Sequence, residues 1–208
     1  VDAFPPSMKR YMLAVIAAIV AVASPAAAGE PTEVLRQRVD RILALIDKPG
    51  DHRAAIRKVA DEAFDFEEMS RRALGPHWNG RTPAERREFT MLFADLLERS
   101  YLNRVESGRG SEVQYVDESV SGDQATVRTR ILTTQRTEVP VDYRMHRKDG
   151  RWEIFDVNVE GVSLINNYRS QFNAVIQSAS YAALVERLRS KETGAAASPP
   201  SPRRSPRD

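Results

Sequence analysis

The chain has 208 residues, 31 lysines and arginines against 29 aspartates and glutamates, a formal net charge of +2 and no cysteine. Lack of cysteine excludes thiol catalysis, iron–sulfur ligation, disulfides and a lipid-modified cysteine behind a leader. The near-balanced charge gives the body no basic field for nucleic acid.

The chain opens with a leader. Met8, Lys9 and Arg10 form a basic start, Tyr11 to Val22 an apolar run, and Ala26-Ala27-Ala28 the small residues that a signal peptidase needs. Cleavage is expected after Ala28, and residues 1–7 precede the start at Met8. The run falls short of the about 20 residues that cross a bilayer comfortably; an uncleaved anchor is the alternative. The expected mature body is one domain over residues 29–190, exported across the inner membrane and untethered. About 180 residues suffice for one real core. Residues 191–208 (KETGAAASPPSPRRSPRD) are rich in proline and serine and read as a disordered tail. Arg203, Arg204 and Arg207 make a short basic arm, for which a solvated tail is the default in an exported protein.

In the body, Val34, Leu35, Val39, Ile42, Leu43 and Ile46 recur at helical spacing, and Pro49-Gly50 ends that helix. Ile56, Val59, Ala60 and Ala63 mark a second helix, and Phe66 to Leu74 a short third. Thr82, Pro83 and Glu85 form a capping-box start. Phe89, Leu92, Phe93, Leu96, Leu97, Tyr101 and Leu102 then make an apolar face broader than a surface helix needs.

From Glu112 the period becomes two. Val113, Tyr115 and Val116 predict one strand; Ala125, Val127, Thr129 and Ile131 a second; Val139, Val141, Tyr143 and Met145 a third. Asp149-Gly150 is a hairpin turn. In the fourth strand, Trp152 to Glu160, the pattern slips: Trp152 and Ile154 share one face, Phe155, Val157 and Val159 the other. A bulge near Ile154 would reconcile them and bend the sheet; alternatively both faces are buried. Ser163 caps a helix carrying Ile165, Tyr168, Phe172, Val175 and Ile176. A last helix carries Tyr181, Leu184, Val185 and Leu188. The predicted fold is α+β: a curved antiparallel sheet of about four strands, with helices before and after it, enclosing an apolar cavity.

Catalytic and metal motifs are missing. His52, His77 and His146 have no ligand spacing, and neither a GxSxG nor a phosphate loop occurs. The carboxylates from Asp61 to Glu68 alternate with arginines and read as a solvated, ion-paired face. An isomerase-like cavity enzyme would use Asp142, Asp156 or Tyr143. On the last strand, however, Asp156, Asn158 and Glu160 alternate with the apolar set, so the acids face away from a hollow that the apolar set lines.

Three ordered segments carry a family likeness: FDFEEMSRRALGPHW, TPAERREFTMLFADLLERSY and GRWEIFDVNVEGVSLINNYRSQF. Over roughly residues 32 to 190 they resemble the MlaC family, also called the toluene-tolerance auxiliary family. The resemblance implies a cystatin-like or NTF2-like curved sheet with an added helical part. It implies a periplasmic phospholipid carrier without catalytic residue, metal or cofactor. Its partners would be phospholipid, an inner-membrane ABC transporter containing an MCE-domain protein, and an outer-membrane lipoprotein complex, with no nucleic acid. A hopanoid is the alternative ligand.

The family's motif falls on Trp78, Phe93, Tyr101, Gly161, Val162, Ser163, Leu164, Asn167, Tyr168 and Arg169. Phe89, Leu96, Leu97, Tyr143, Phe155, Val157, Val159 and Ile165 complete the expected lining from the apolar faces. Tyr168 or Arg169 is placed at the mouth, near a phosphate, although a surface ion pair would equally explain Arg169. Gly161 is either a hinge for the helix that begins at Ser163 or the residue that permits a tight turn.

Overall fold

A computed structural model describes residues 29–190, so the expected leader and tail lie outside the described residues. Four helices come first: α1 (Glu30–Ile46), α2 (Arg53–Ala63), α3 (Phe66–Leu74) and α4 (Pro83–Ser107), with a 3₁₀ turn at Gly75–Trp78. Strands β1 (Glu112–Ser121), β2 (Gln124–Leu132), β3 (Glu138–Lys148), β4 (Arg151–Val159) and β5 (Val162–Ser163) follow, then α5 (Leu164–Ser178) and α6 (Tyr181–Arg189). The α+β prediction holds. The strands form one antiparallel sheet in sequence order, five rather than about four, because the two-residue β5 pairs with the end of β4.

Local chemistry sets the helix starts. The Thr82 hydroxyl accepts the Glu85 N–H at 3.3 Å while the Glu85 carboxylate accepts the Thr82 N–H at 2.7 Å, closing the capping box. Ser163 and Ser180 cap α5 and α6. Helix α1 has no side-chain cap of its own. Instead Glu118 of β1 accepts the Thr32 N–H at 2.7 Å and the Thr32 hydroxyl at 2.6 Å. A carboxylate there suits the positive end of the helix dipole and joins α1 to the sheet.

The expected bulge is present. Arg144 pairs with Asp156 and Met145 with Ile154, leaving Phe155 as the extra residue. That one residue restores parity, so Trp152, Ile154, Val157 and Val159 lie on one face. A second bulge leaves Val116 outside the apolar alternation of β1, and it is exposed rather than part of the strand's inward set.

Buried apolar residues form three clusters. One lies within the helical layer, around Met69, Leu74, Trp78, Phe89, Phe93, Tyr168 and Phe172. A second joins Leu35 and Ala63 to Ala125, Val127, Met145, Trp152 and Ile154 of the sheet. A third, smaller one holds Ile46, Ile56 and Leu102. Among the described residues no helix is long and apolar enough to cross a membrane.

Candidate functional site

The sheet's inner face changes character along its length. Toward the β3–β4 hairpin, Ala125, Val127, Met145 and Ile154 are buried beneath Leu35 of α1 and Ala63 of α2. Toward the opposite end run two registered rows, Val113–Ile131–Val139 and Tyr115–Thr129–Val141–Val159–Val162. Val113, Ile131, Val139 and Val159 are half-buried and pack into none of the three clusters. Ile42 on α1 is in the same condition. Tyr115, Tyr143 and Val157 stand at the boundary, touching the packed end while half-open.

Tyr143 is half-buried at that boundary, and burial pushes its hydroxyl up to about 12. Apolar alternation made the wall, and the bulge bent it.

The expected lining divides. Phe89 and Phe93 are 0% exposed, Tyr168 2% and Ile165 2%. Phe93 stacks with Phe89 at 5.9 Å and meets Tyr168 and Phe172 edge-on at 5.1 and 5.3 Å. These rings, with Trp78, Leu96, Leu97 and Leu164, fill the helical core, and Tyr101 is half-buried against it. In this structure they pack against one another. The breadth of the α4 face comes from packing α3, α5 and α6 at once.

Phe155 does not keep the face expected of it. Being the bulge residue, it leaves the face of Val157 and Val159 and lies beneath the Arg72 guanidinium at 4.1 Å, with the His146 ring edge-on at 5.4 Å. Arg169 lies across Gly75, where an added Cβ would come within 2.8 Å of its Nε. Gly75 has φ +54, so the backbone there favours glycine, whereas the Arg169 side chain could swing aside from a Cβ. Of the expected residues, Tyr143, Val157 and Val159 share the inner face, and Val162 pairs with Val159 at its rim, 40% exposed. Tyr115, Val113, Ile131, Val139 and Val141 were missing from the expected site. Their shared parity with Tyr143 was the signal that could have found them.

The acids have other work. Asp156 is buried; it accepts the Val157 and Ile165 N–H groups at 2.9 and 3.1 Å and the Ser163 hydroxyl at 2.7 Å. It thereby holds the start of α5, away from the inner face as its parity required. Asp142 occupies the same outer face, in the row of Arg128 and Asn158. Glu118 shares a row with Val127 and Tyr143, but its carboxylate binds Thr32. Tyr143 therefore has no inward acid as a partner in its row.

Asp65 overturns the expectation of a wholly solvated acidic run. It is buried, caps α3 through the Glu68 N–H at 2.9 Å, and binds Lys148 at 2.9 Å and His146 at 3.1 Å. Burial pushes its carboxyl up, but the Glu68 N–H and the Lys148 ammonium outweigh that and hold it below its ordinary 3.8. Ligand atoms of Asp65, His146 and Glu153 lie within 4.8 Å of one another. Lys148 already supplies the cation there. The neighbouring acids do behave as expected: Glu62 pairs with Arg38 and Arg41, Glu68 with Arg71 and Arg72.

A cleft of about 370 Å³ opens where the α1–α2 loop meets the end of α4, lined by Ile46, Ile56, His52, Arg53, Glu106 and Arg109, among others. None of the expected lining residues borders it. Its charged groups largely satisfy one another: Arg53 pairs with Glu106, and Arg109 donates to the carbonyls of Ile46 and Lys48 at the end of α1.

Comparison with known proteins agrees with this architecture. A phospholipid-binding protein from Ralstonia solanacearum, solved in complex with a phospholipid, matches with a TM-score of 0.71 over 82% of this chain and 100% of its own, at 24% identity. That likeness establishes the fold. The intermembrane phospholipid transport system binding protein MlaC of Haemophilus influenzae is 21% identical over 150 residues, 66% of this chain and 70% of the relative. The sequence profile of the MlaC protein family matches residues 32–190. That match takes in the sheet and every helix except the first two residues of α1, and the chain belongs to the MlaC family.

Proposed function

We propose that this protein is a periplasmic phospholipid carrier, shuttling lipid between an outer-membrane lipoprotein complex and an inner-membrane MCE-protein transporter. The observation that carries the reading is the open end of the inner sheet face. There Val113, Ile131, Val139 and Val159 are sheltered but lack a core partner. The names of the Haemophilus and Ralstonia proteins support the same ligand class.

The physics of the task fits. Each methylene taken from water is worth about 0.8 kcal/mol, so exposing two ordinary acyl chains costs on the order of 20 kcal/mol. A lipid crossing an aqueous gap needs a dry wall for its tails and water for its head group. The mechanism is non-covalent: the tails lie along the inner face beneath α1, and the polar head remains at the open rim near Val162. Nothing in this cycle calls for a nucleophile, a metal or a cofactor.

The test is gentle purification, organic extraction and mass spectrometry, followed by transfer between labelled donor and acceptor vesicles. Phospholipid in near-stoichiometric amount, and transfer that rises with protein concentration, are expected. Protein that carries no lipid and accelerates no transfer would refute the reading.

A further inference from the structure

Besides its apolar side chains the inner face carries Glu118, Arg147, two phenols and one threonine, and three of these five are satisfied: Glu118 binds Thr32, Arg147 binds Glu30, and Thr129 donates its hydroxyl to the Val141 carbonyl at 2.9 Å. The Tyr115 hydroxyl oxygen is buried and has no hydrogen-bond partner among the described residues. Tyr115 lies opposite Thr129 on β2, and Tyr143 opposite Val127 one row away, so the two phenols flank β2 diagonally on one face. A buried hydroxyl without a partner is costly and rare in a finished structure. Here it lies on the half-buried end of the inner face.

We propose that Tyr115 and Tyr143 form a paired hydroxyl anchor for the ester oxygens of a glycerol-based lipid, selecting a diacyl ester lipid over a hydrocarbon-like ligand of equal size. The proposal rests on the carrier reading above and adds a residue-level basis for ligand choice. A phenol is a donor as well as an acceptor, and a carbonyl or ester oxygen is the acceptor it lacks. Burial raises both phenols, so both keep their protons and remain donors at physiological pH.

The charges nearby argue for a neutral acceptor rather than a phosphate. Glu33 and Asp40 on α1 place negative charge near Tyr115, adding to the upward push of burial. The Arg36 guanidinium lies 4.2 Å over the ring, and Glu33 is 3.8 Å from it. A phosphate held there would find one guanidinium, already paired with Glu33, against the two carboxylates, whereas an ester carries no charge to repel. This places the glycerol level of the lipid at Tyr115 and Tyr143, with tails against the valines and the head group beyond.

The test compares delipidated wild type with Tyr115→Phe and Tyr143→Phe, using dipalmitoyl phosphatidylglycerol and its dihexadecyl ether analogue as probes in competition binding. Phenylalanine keeps each ring in place, and circular dichroism checks the fold of each variant. Wild type should prefer the ester lipid. Each substitution should weaken ester binding about five- to tenfold, the worth of one neutral hydrogen bond, and weaken ether binding clearly less, because an ether oxygen is a poorer acceptor than an ester carbonyl. Equal affinity of wild type for both lipids overturns the anchor, as do variants that lose both lipids in parallel. A wild type that binds neither lipid overturns the carrier reading itself, so the two failures are distinguishable.

Discussion

The two ends of the inner sheet face have the same strands, the same parity and much the same side chains, but different fates. At one end Val127 is 0% exposed, Met145 1% and Ile154 2%, closed over by α1 and α2. At the other, Val113, Ile131, Val139 and Val159 are just as apolar but only half-buried, and they join none of the three core clusters. Apolar alternation on a strand specifies that a face will leave water; it does not specify what will cover it. The packed end holds the sheet to the helices, and the other end is where the proposed ligand would lie.

Substitutions can separate the two. The largest effect is expected at the packed end: Ile154→Ala should destabilise the fold by about 2–5 kcal/mol in chemical denaturation, since a buried branched chain leaves a cavity. Next comes Asp65, whose backbone N–H also donates to the Ile154 carbonyl. Asp65→Ala removes the α3 cap and strands Lys148 and His146, costing about 2 kcal/mol.

Wild-type stability should carry the same signature in acid. The Asp65 carboxyl titrates lower in the folded protein than its ordinary 3.8, so its contribution is full above that value and fades as pH falls through the folded one. Stability curves of Asp65→Ala should lack that part of the acid-side slope. An identical slope in wild type and variant would remove the clip from the account.

At the open end the effects shrink. Glu160 and Gly161 have φ values of 51 and 80, the two left-handed residues of a tight hairpin turn joining β4 to β5. A Cβ on Gly161 would meet nothing within 4 Å. Gly161→Ala should therefore cost about 1 kcal/mol, from backbone conformation alone, and leave lipid transfer unchanged. A folded, loaded variant that fails to transfer would restore the hinge. Smallest is Val159→Ala, which should cost below about 1 kcal/mol because its side chain is half-open. It should still lower the lipid recovered on purification, separating ligand contact from folding. Loss of stability without loss of lipid would instead make Val159 ordinary core.

The fold was legible in the sequence because its signals are local. Capping at Thr82 and Ser163, the Asp149-Gly150 turn and the parity slip after Ile154 each depend on residues a few positions apart. The binding wall was less legible. Phe89, Phe93 and Tyr168 are large aromatic side chains, and that same property packs them against one another. Phe155 was misplaced because a bulge residue takes the face its neighbours do not, and periodicity cannot say which residue is the extra one.

By itself the sequence determined the helix starts, the strand alternation and the outward parity of Asp156, since hydrogen bonds and side-chain periodicity act over a single turn or pleat. Only the tertiary structure decided which apolar surfaces would find partners. That depends on where α1 crosses the sheet, anchored by Glu118 to Thr32 across 86 positions of chain. Covering a face is a matter of volume and distance between elements, and neither is written in the spacing of residues along one of them.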